Sequence, residues 1–205
     1  LAQVYNQLGD AVPDLADPAL FKHFFGAIQA MMAQNKILSY HDRSDGGLLA
    51  AVTEMAFAGR KGLKLTLDTL VPSGDESELL APLFAEELGA VIEVADSELV
   101  AVQSILEAHG LTGVSHQIGH SLESQTVAIH LADAEVFSKP LSELNRAWSE
   151  LSYRMQAKRD NPDCAQEAFD ALLDASDGGL LVKPSYDPEE ERAAHLAQFN
   201  ITGSR

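Results

Sequence analysis

Basic residues are scarce in this sequence: 14 Lys and Arg stand against 31 Asp and Glu, for a formal charge of −17. That balance argues against a nucleic-acid partner, since phosphate backbones are held by clustered Lys and Arg. Cysteine is almost absent. The single Cys164 rules out an internal disulfide and any cysteine-built metal cluster, and it fits a reducing, cytoplasmic setting. Long apolar runs are lacking too, and no stretch approaches the roughly 20 residues of a membrane span. The first residues, Leu1-Ala2-Gln3, include no initiator Met and no basic segment leading into an apolar run. No signal peptide is therefore expected, and the chain reads as a piece of a longer one. What is present is globular in kind: a 46% hydrophobic share over 205 residues suffices for one packed domain, with room for an appendage.

Asp17-Pro18 is a helix-start signal, and Leu20, Phe21, Phe24, Phe25, Ile28, Met31 and Met32 then recur at helical spacing, predicting a helix over 18–35. Ile37 to His41 is a strand-like run that stops at Asp42. Gly46-Gly47 breaks the pattern before Leu48, Leu49, Val52, Met55 and Ala56 resume helical spacing, so the order is strand, turn, helix. Leu63, Leu65 and Leu67 alternate with polar residues as a second strand. Residues 76–87 read as an acidic helix, 89–94 as a strand, and a helix runs from Ser97 to a C-capping Gly110. Residues 114–118 and 126–131 read as strands joined by a polar loop, and 141–159 and 165–174 as helices. Beyond Asp177-Gly178-Gly179 the chain has two prolines and little periodicity, and reads as an extended linker. The expected class is α+β, a mixed β-sheet layered with helices over 1–140, with a helical appendage and linker over 141–205.

The chemically loaded segment is His41-Asp42-Arg43-Ser44-Asp45-Gly46-Gly47-Leu48, where strand becomes helix. Helix-start amides attract phosphate oxygens, and Gly46 and Gly47 let backbone approach a ligand closely. Ser44 can donate to a phosphate. Asp42 is a hard oxygen donor of the kind Mg²⁺ takes alongside phosphates. Asp45 suits either an outer carboxylate or the helix N-cap. The plain alternative is that Asp-Gly-Gly is only the tight turn and cap that any apolar helix needs. No Gly-Lys-Ser/Thr follows, so this is not a P-loop.

Other candidates are weaker. His116, His120 and His130 lie on or near two expected neighbouring strands, yet no third metal ligand can be placed with them. Cys164 lacks the strand-to-helix setting and nearby histidine of a nucleophile. Trp148 reads as a packing anchor, and Glu86-Glu87 and Glu189 to Glu191 as solvated faces. No residue presents itself as a catalytic nucleophile or base.

The string HDRSDGGL, followed at one helix length by EMAFAGR (Glu54 to Arg60), resembles the second synthetase half of the large, single-chain formylglycinamide ribonucleotide amidotransferase, or phosphoribosylformylglycinamidine synthase. LAQVYNQLG at the start, EELGAVIEV (Glu86 to Val94), the helix around Trp148 and Arg159-Asp160-Asn161-Pro162-Asp163-Cys164 extend the resemblance over nearly the whole chain. HDRSDGGL alone would suggest only the wider aminoimidazole ribonucleotide synthetase superfamily. The resemblance implies a C-terminal synthetase domain of a cytoplasmic purine-biosynthesis ligase, with Mg²⁺ and ATP or ADP as cofactors. It places Asp42 on the metal and Ser44, with Gly46-Gly47, at the nucleotide, in a site regarded as auxiliary and structural. Its implied partners are the neighbouring synthetase and glutaminase domains of the same chain, and this piece alone would be inactive. A purely scaffolding domain remains open, as does another enzyme of the superfamily, such as selenophosphate synthetase or a thiamine-phosphate kinase.

Overall fold

A computed structural model describes residues 1–7, 14–174, 176 and 182–198. It divides into two compact units, Leu1–Leu173 and Asp174–Arg205. In the first, α1 (Pro18–Ala33) begins where the Asp17 carboxylate accepts from the Ala19 and Leu20 amides at 2.8 and 3.1 Å. An acidic cap supplies the acceptor that first-turn amides lack, and Pro18 has no amide to leave unpaired. There follow β1 (Ser39–Asp42), α2 (Gly47–Gly59), β2 (Gly62–Thr66), α3 (Leu80–Phe84), β3 (Ala90–Glu93) and α4 (Leu99–Ala108). Then come β4 (Gly119–Leu122), β5 (Thr126–Leu131), β6 (Ala134–Pro140), α5 (Leu141–Arg159) and α6 (Pro162–Ala171). The second unit contains α7 (Pro188–Gln198).

The expected α+β class with a mixed sheet is what the chain adopts, with the strands divided between two sheets. β1 and β3 form an antiparallel ribbon. The other four run in the order β4-β2-β5-β6, with β2 and β5 parallel and the remaining pairs antiparallel. One core joins Leu48 and Val52 of α2, Leu83 of α3, Leu65 of β2 and Ile129 and Leu131 of β5, with Val91 of β3 against it. A second joins Ala27 and Met31 of α1 to Val102 of α4, with Ile92 of β3 against it. Neighbouring residues of a strand face opposite ways. Val91 and Ile92 therefore place the ribbon between two helical layers, α2 and α3 on one side and α1 and α4 on the other. That sandwiching aims the tip of β1, and with it Asp42.

Several expectations are corrected. The acidic helix over 76–87 is a 3-10 turn, Glu76–Glu78, followed by the short α3. Pro82 explains this, because a proline is tolerated in a first turn and not deep inside a helix. The strand expected over 114–118 lies instead at β4, inside the segment read as a loop; 112–114 is a 3-10 turn. β6 had no sequence signal. The segment read as extended linker contains α7, whose first turn carries Glu189, Glu190 and Glu191 where the helix dipole favours acids. Asp177-Gly178-Gly179 lies outside the described residues.

Candidate functional site

Asp42 ends β1 and is exposed, its side chain 68% accessible. Strand alternation sends His41 toward α2 and Asp42 to the other face of the ribbon, which it shares with Tyr40. Partial burial first, and the Asp42 charge second, raise the Tyr40 pKa. Ser44 and Asp45 are exposed as well. Gly46 is the N-cap of α2 at φ 83°, with no side-chain cap, so Asp45 does not cap this helix. The Gly46 N–H donates to Glu86 Oε1 at 2.9 Å, the Gly47 N–H to the Ser44 carbonyl at 2.9 Å, and the Arg43 N–H to the Gly89 carbonyl at 2.8 Å. Arg43 Nε donates to the Glu87 carbonyl at 2.9 Å. Glu86-Glu87 is therefore engaged with the turn and is not merely a solvated face. Gly47 is buried, and a Cβ there would stand 2.8 Å from the Leu83 carbonyl oxygen.

Behind the turn, His41 meets two acceptors. Its Nδ1 lies 2.6 Å from the Asp42 carbonyl and its Nε2 2.9 Å from Glu54 Oε2, while Trp148 Nε1 donates to Glu54 Oε1 at 2.9 Å. The Asp42 carbonyl, and after it the Glu54 carboxylate, raise the His41 pKa above the ordinary histidine value, against the opposing effect of desolvation. A raised folded-state pKa means stability that is full below the unfolded histidine pKa, about 6.5. It is lost as pH rises through the higher folded value. Urea midpoints of the wild type and His41→Asn should accordingly differ most at mildly acid pH and converge toward alkaline pH. A gap that widens with rising pH would contradict this assignment. Sequence reasoning missed Glu54. The available signal was one acid in the otherwise uncharged run Gly47 to Gly59.

The remaining candidates do not assemble. β2 lies between β4 and β5, so His120 and His130 sit on non-adjacent strands, and His116 is outside any strand. His130 Nδ1 is buried without a hydrogen-bond partner. Among the described residues no group of three His, Cys, Asp or Glu could hold a metal ion. Cys164 is an exposed free thiol. Trp148 is 60% exposed, so it is not a buried anchor, although its ring meets Phe57 edge-on at 6.0 Å.

Mg²⁺ characteristically takes one or two carboxylates and fills its octahedron with phosphate oxygens and water. Asp42 fits that single-carboxylate part: it is exposed, and its ion-pair partner, His41 Nδ1, stands 4.0 Å away. Among the described residues there is no cage, so other ligands would come from phosphates, water or a facing protein surface.

The fold is thus a mixed sheet layered with helices, whose ribbon tip carries Asp42 into a Gly-Gly helix start. The family described as "AIR synthase related protein, C-terminal domain" matches residues 1–132, and the chain belongs to it. Among solved structures, the chain is similar to T. maritima PurL complexed with FGAR, at a TM-score of 0.54 and 21% identity over 63% of this chain and 21% of that one. It is also similar to T. maritima PurL complexed with ATP, at 0.52 and 19% over 62% and 22%. Phosphoribosylformylglycinamidine synthase II from Thermotoga maritima gives 0.51 and 18% over 62% and 21%. At these identities the likeness establishes the fold. The chain spans about a fifth of the length of those proteins. Among the described residues, no helix is long and apolar enough to cross a membrane.

Proposed function

We propose that this chain is the C-terminal synthetase-type domain of the second half of a large, single-chain formylglycinamide ribonucleotide amidotransferase. That cytoplasmic ligase converts formylglycinamide ribonucleotide, glutamine and ATP into formylglycinamidine ribonucleotide, glutamate, ADP and phosphate. The domain's part is to offer Asp42 to Mg²⁺, and Ser44 with Gly46-Gly47 to the phosphates of ATP or ADP, at an auxiliary site closed by neighbouring domains. Bound Mg²⁺ would neutralise phosphate charge. The chain's own residues would orient the nucleotide, and among the described residues none stands at the turn as a nucleophile or base.

The observation that carries this reading is Asp42, an exposed carboxylate at a strand tip beside a helix start, in a family member whose sequence resembles that ligase over nearly its whole length, least in 66–85 and 170–200. In the full-length protein, Asp42→Asn should weaken retention of Mg²⁺·ATP about tenfold or more, as loss of a metal-bound charge requires. Equilibrium dialysis measures it, and unchanged retention would overturn the nucleotide role. The 205-residue chain alone should show no glutamine-dependent ATP turnover.

A second reading has its own support. Glu86 already occupies the Gly46 amide, and the bare Cα of Gly47 is explained by the close passage of α3. On that reading the turn is a joint within a scaffolding domain, and Asp42→Asn changes nothing.

A further inference from the structure

The chain His41–Glu54–Trp148 lies outside the turn residues assigned to nucleotide and metal, and its geometry is unusually complete. Glu54 is the one charged residue of α2, and its side chain is 33% accessible. Each of its carboxylate oxygens has its own partner: Oε2 meets His41 Nε2 and Oε1 accepts from Trp148 Nε1, both at 2.9 Å. His41 is held at both ring nitrogens, since Nδ1 lies 2.6 Å from the Asp42 carbonyl. With both oxygens and both nitrogens engaged, neither the carboxylate nor the imidazole can rotate without breaking a bond. Phe57, one turn after Glu54, adds an edge contact to the Trp148 ring at 6.0 Å.

No bond joins Glu54 to the Asp42 carboxylate, whose Oδ1 stands 4.0 Å from His41 Nδ1. The connection runs through His41, and most closely through main chain: its Nδ1 grips the carbonyl of the residue that ends the strand. Across the ribbon Asp42 pairs with Ala90, and the Arg43 N–H donates to the Gly89 carbonyl at 2.8 Å. His41 adds a side-chain hold on the same strand end.

We infer that Glu54 is a positioning residue for the Asp42 site: anchored by Trp148 of α5, it clamps His41 and thereby sets the strand-end backbone from which the Asp42 carboxylate projects. This rests on the nucleotide reading of the turn. Partners that orient a ligand-bearing group without touching the ligand typically change metal affinity by about 10- to 100-fold when removed.

The test compares Mg²⁺·ATP affinity across variants of the full-length protein, with Asp42→Asn alongside. Glu54→Ala should weaken binding about tenfold. Glu54→Gln can keep every bond, its carbonyl accepting from Trp148 and its amide donating to His41 Nε2, and should restore binding to near the wild-type value. A merely structural glutamate would not give that pattern, because a loss confined to stability leaves the affinity of folded protein unmoved. The sole tryptophan gives a second readout in the 205-residue chain, a single indole N–H resonance. It should shift in Glu54→Ala and stay in Glu54→Gln. If Asp42→Asn weakens binding and Glu54→Ala does not, the positioning role falls while the nucleotide site stands. If Glu54→Gln binds as poorly as Glu54→Ala, geometry is not what Glu54 supplies, and the inference falls too. If Asp42→Asn has no effect, the nucleotide reading fails and takes the inference with it. Should Glu54→Ala not fold, Trp148→Phe decides the matter: losing one hydrogen bond to a charged group should weaken binding about three- to tenfold, and no loss would overturn the proposal.

Discussion

Gly62→Ala is expected to cost about 4 kcal/mol or more, at the far end of what single substitutions do, and to lower the urea midpoint of the chain steeply. A Cβ at Gly62 would stand 1.8 Å from the Ser124 carbonyl oxygen, 2.5 Å from that of Thr126 and 2.8 Å from the Thr126 nitrogen. All three are backbone atoms, so no change of rotamer relieves the clash. Gly62 opens β2, which pairs with β4 on one side and β5 on the other, and the offending atoms belong to Ser124, in the turn joining those two neighbours, and to Thr126, which opens β5. Moving that turn would disturb both ladders of the central strand. Against a typical domain stability of about 5–15 kcal/mol, a loss of that size removes from about a quarter to about four-fifths of the margin. Gly113→Ala is the control: nothing lies within 4 Å of a Cβ there, so its urea midpoint should match the wild type. Equal midpoints for Gly62→Ala and Gly113→Ala would contradict this packing.

The same glycines explain which parts of the fold could be read from sequence. α1 was legible because its start is chemical: Asp17 and Pro18 act within a few residues of themselves. α2, β2 and β5 were legible because their periods of burial are carried by Leu, Val and Ile. β4 was not. Gly-His-Ser-Leu has no alternation of apolar residues, and it is a strand because Gly119 lets its backbone come within reach of Lys64 and Leu65, which a Cβ would meet at 2.1 and 2.9 Å. That requirement is tertiary and leaves only a glycine in the sequence. β6 is an edge strand that ends at Pro140, and only Val136 and Phe137 pack against the core while the rest of it is exposed, too short an apolar run to signal a strand.

The candidate site divides the same way. Asp42 at a strand end, followed by a glycine turn and a helix, follows from local pattern, and the structure has that order. The use of each glycine was not legible. Sequence reasoning treated Gly46 and Gly47 as a pair, either for close approach to phosphate or as the tight turn before a capped helix, whereas their surroundings differ. Nor could it join Glu54 to Trp148, 94 residues apart along the chain. Helical spacing aligned Trp148, Leu151 and Met155 on one face of α5 but did not bury them, since they are 60%, 70% and 65% exposed. Periodicity identifies a face, and only a partner buries it.

Gly47→Ala should destabilise the chain by about 3 kcal/mol, more than Gly46→Ala. Both glycines have left-handed φ, 71° and 83°, a conformation that costs a residue with a Cβ roughly 1–2 kcal/mol. At Gly46 the added methyl meets only the Ala50 side chain, at 2.8 Å, and the N-cap end of the helix can give slightly. At Gly47 it meets main chain: the Leu83 carbonyl oxygen and Phe84 carbon at 2.8 Å, and the Phe84 Cα at 2.9 Å. Leu83 is itself part of the core shared by α2, β2 and β5, so backing α3 away opens contacts that Leu48 and Val52 also use. Urea denaturation of the 205-residue chain without nucleotide measures the packing cost alone. If that cost is large, weaker nucleotide binding by Gly47→Ala says little about phosphate contact, and Asp42→Asn becomes the cleaner test of the site. If Gly47→Ala is as stable as the wild type, α3 does not need the missing side chain, and ligand approach becomes the better reason for a glycine there.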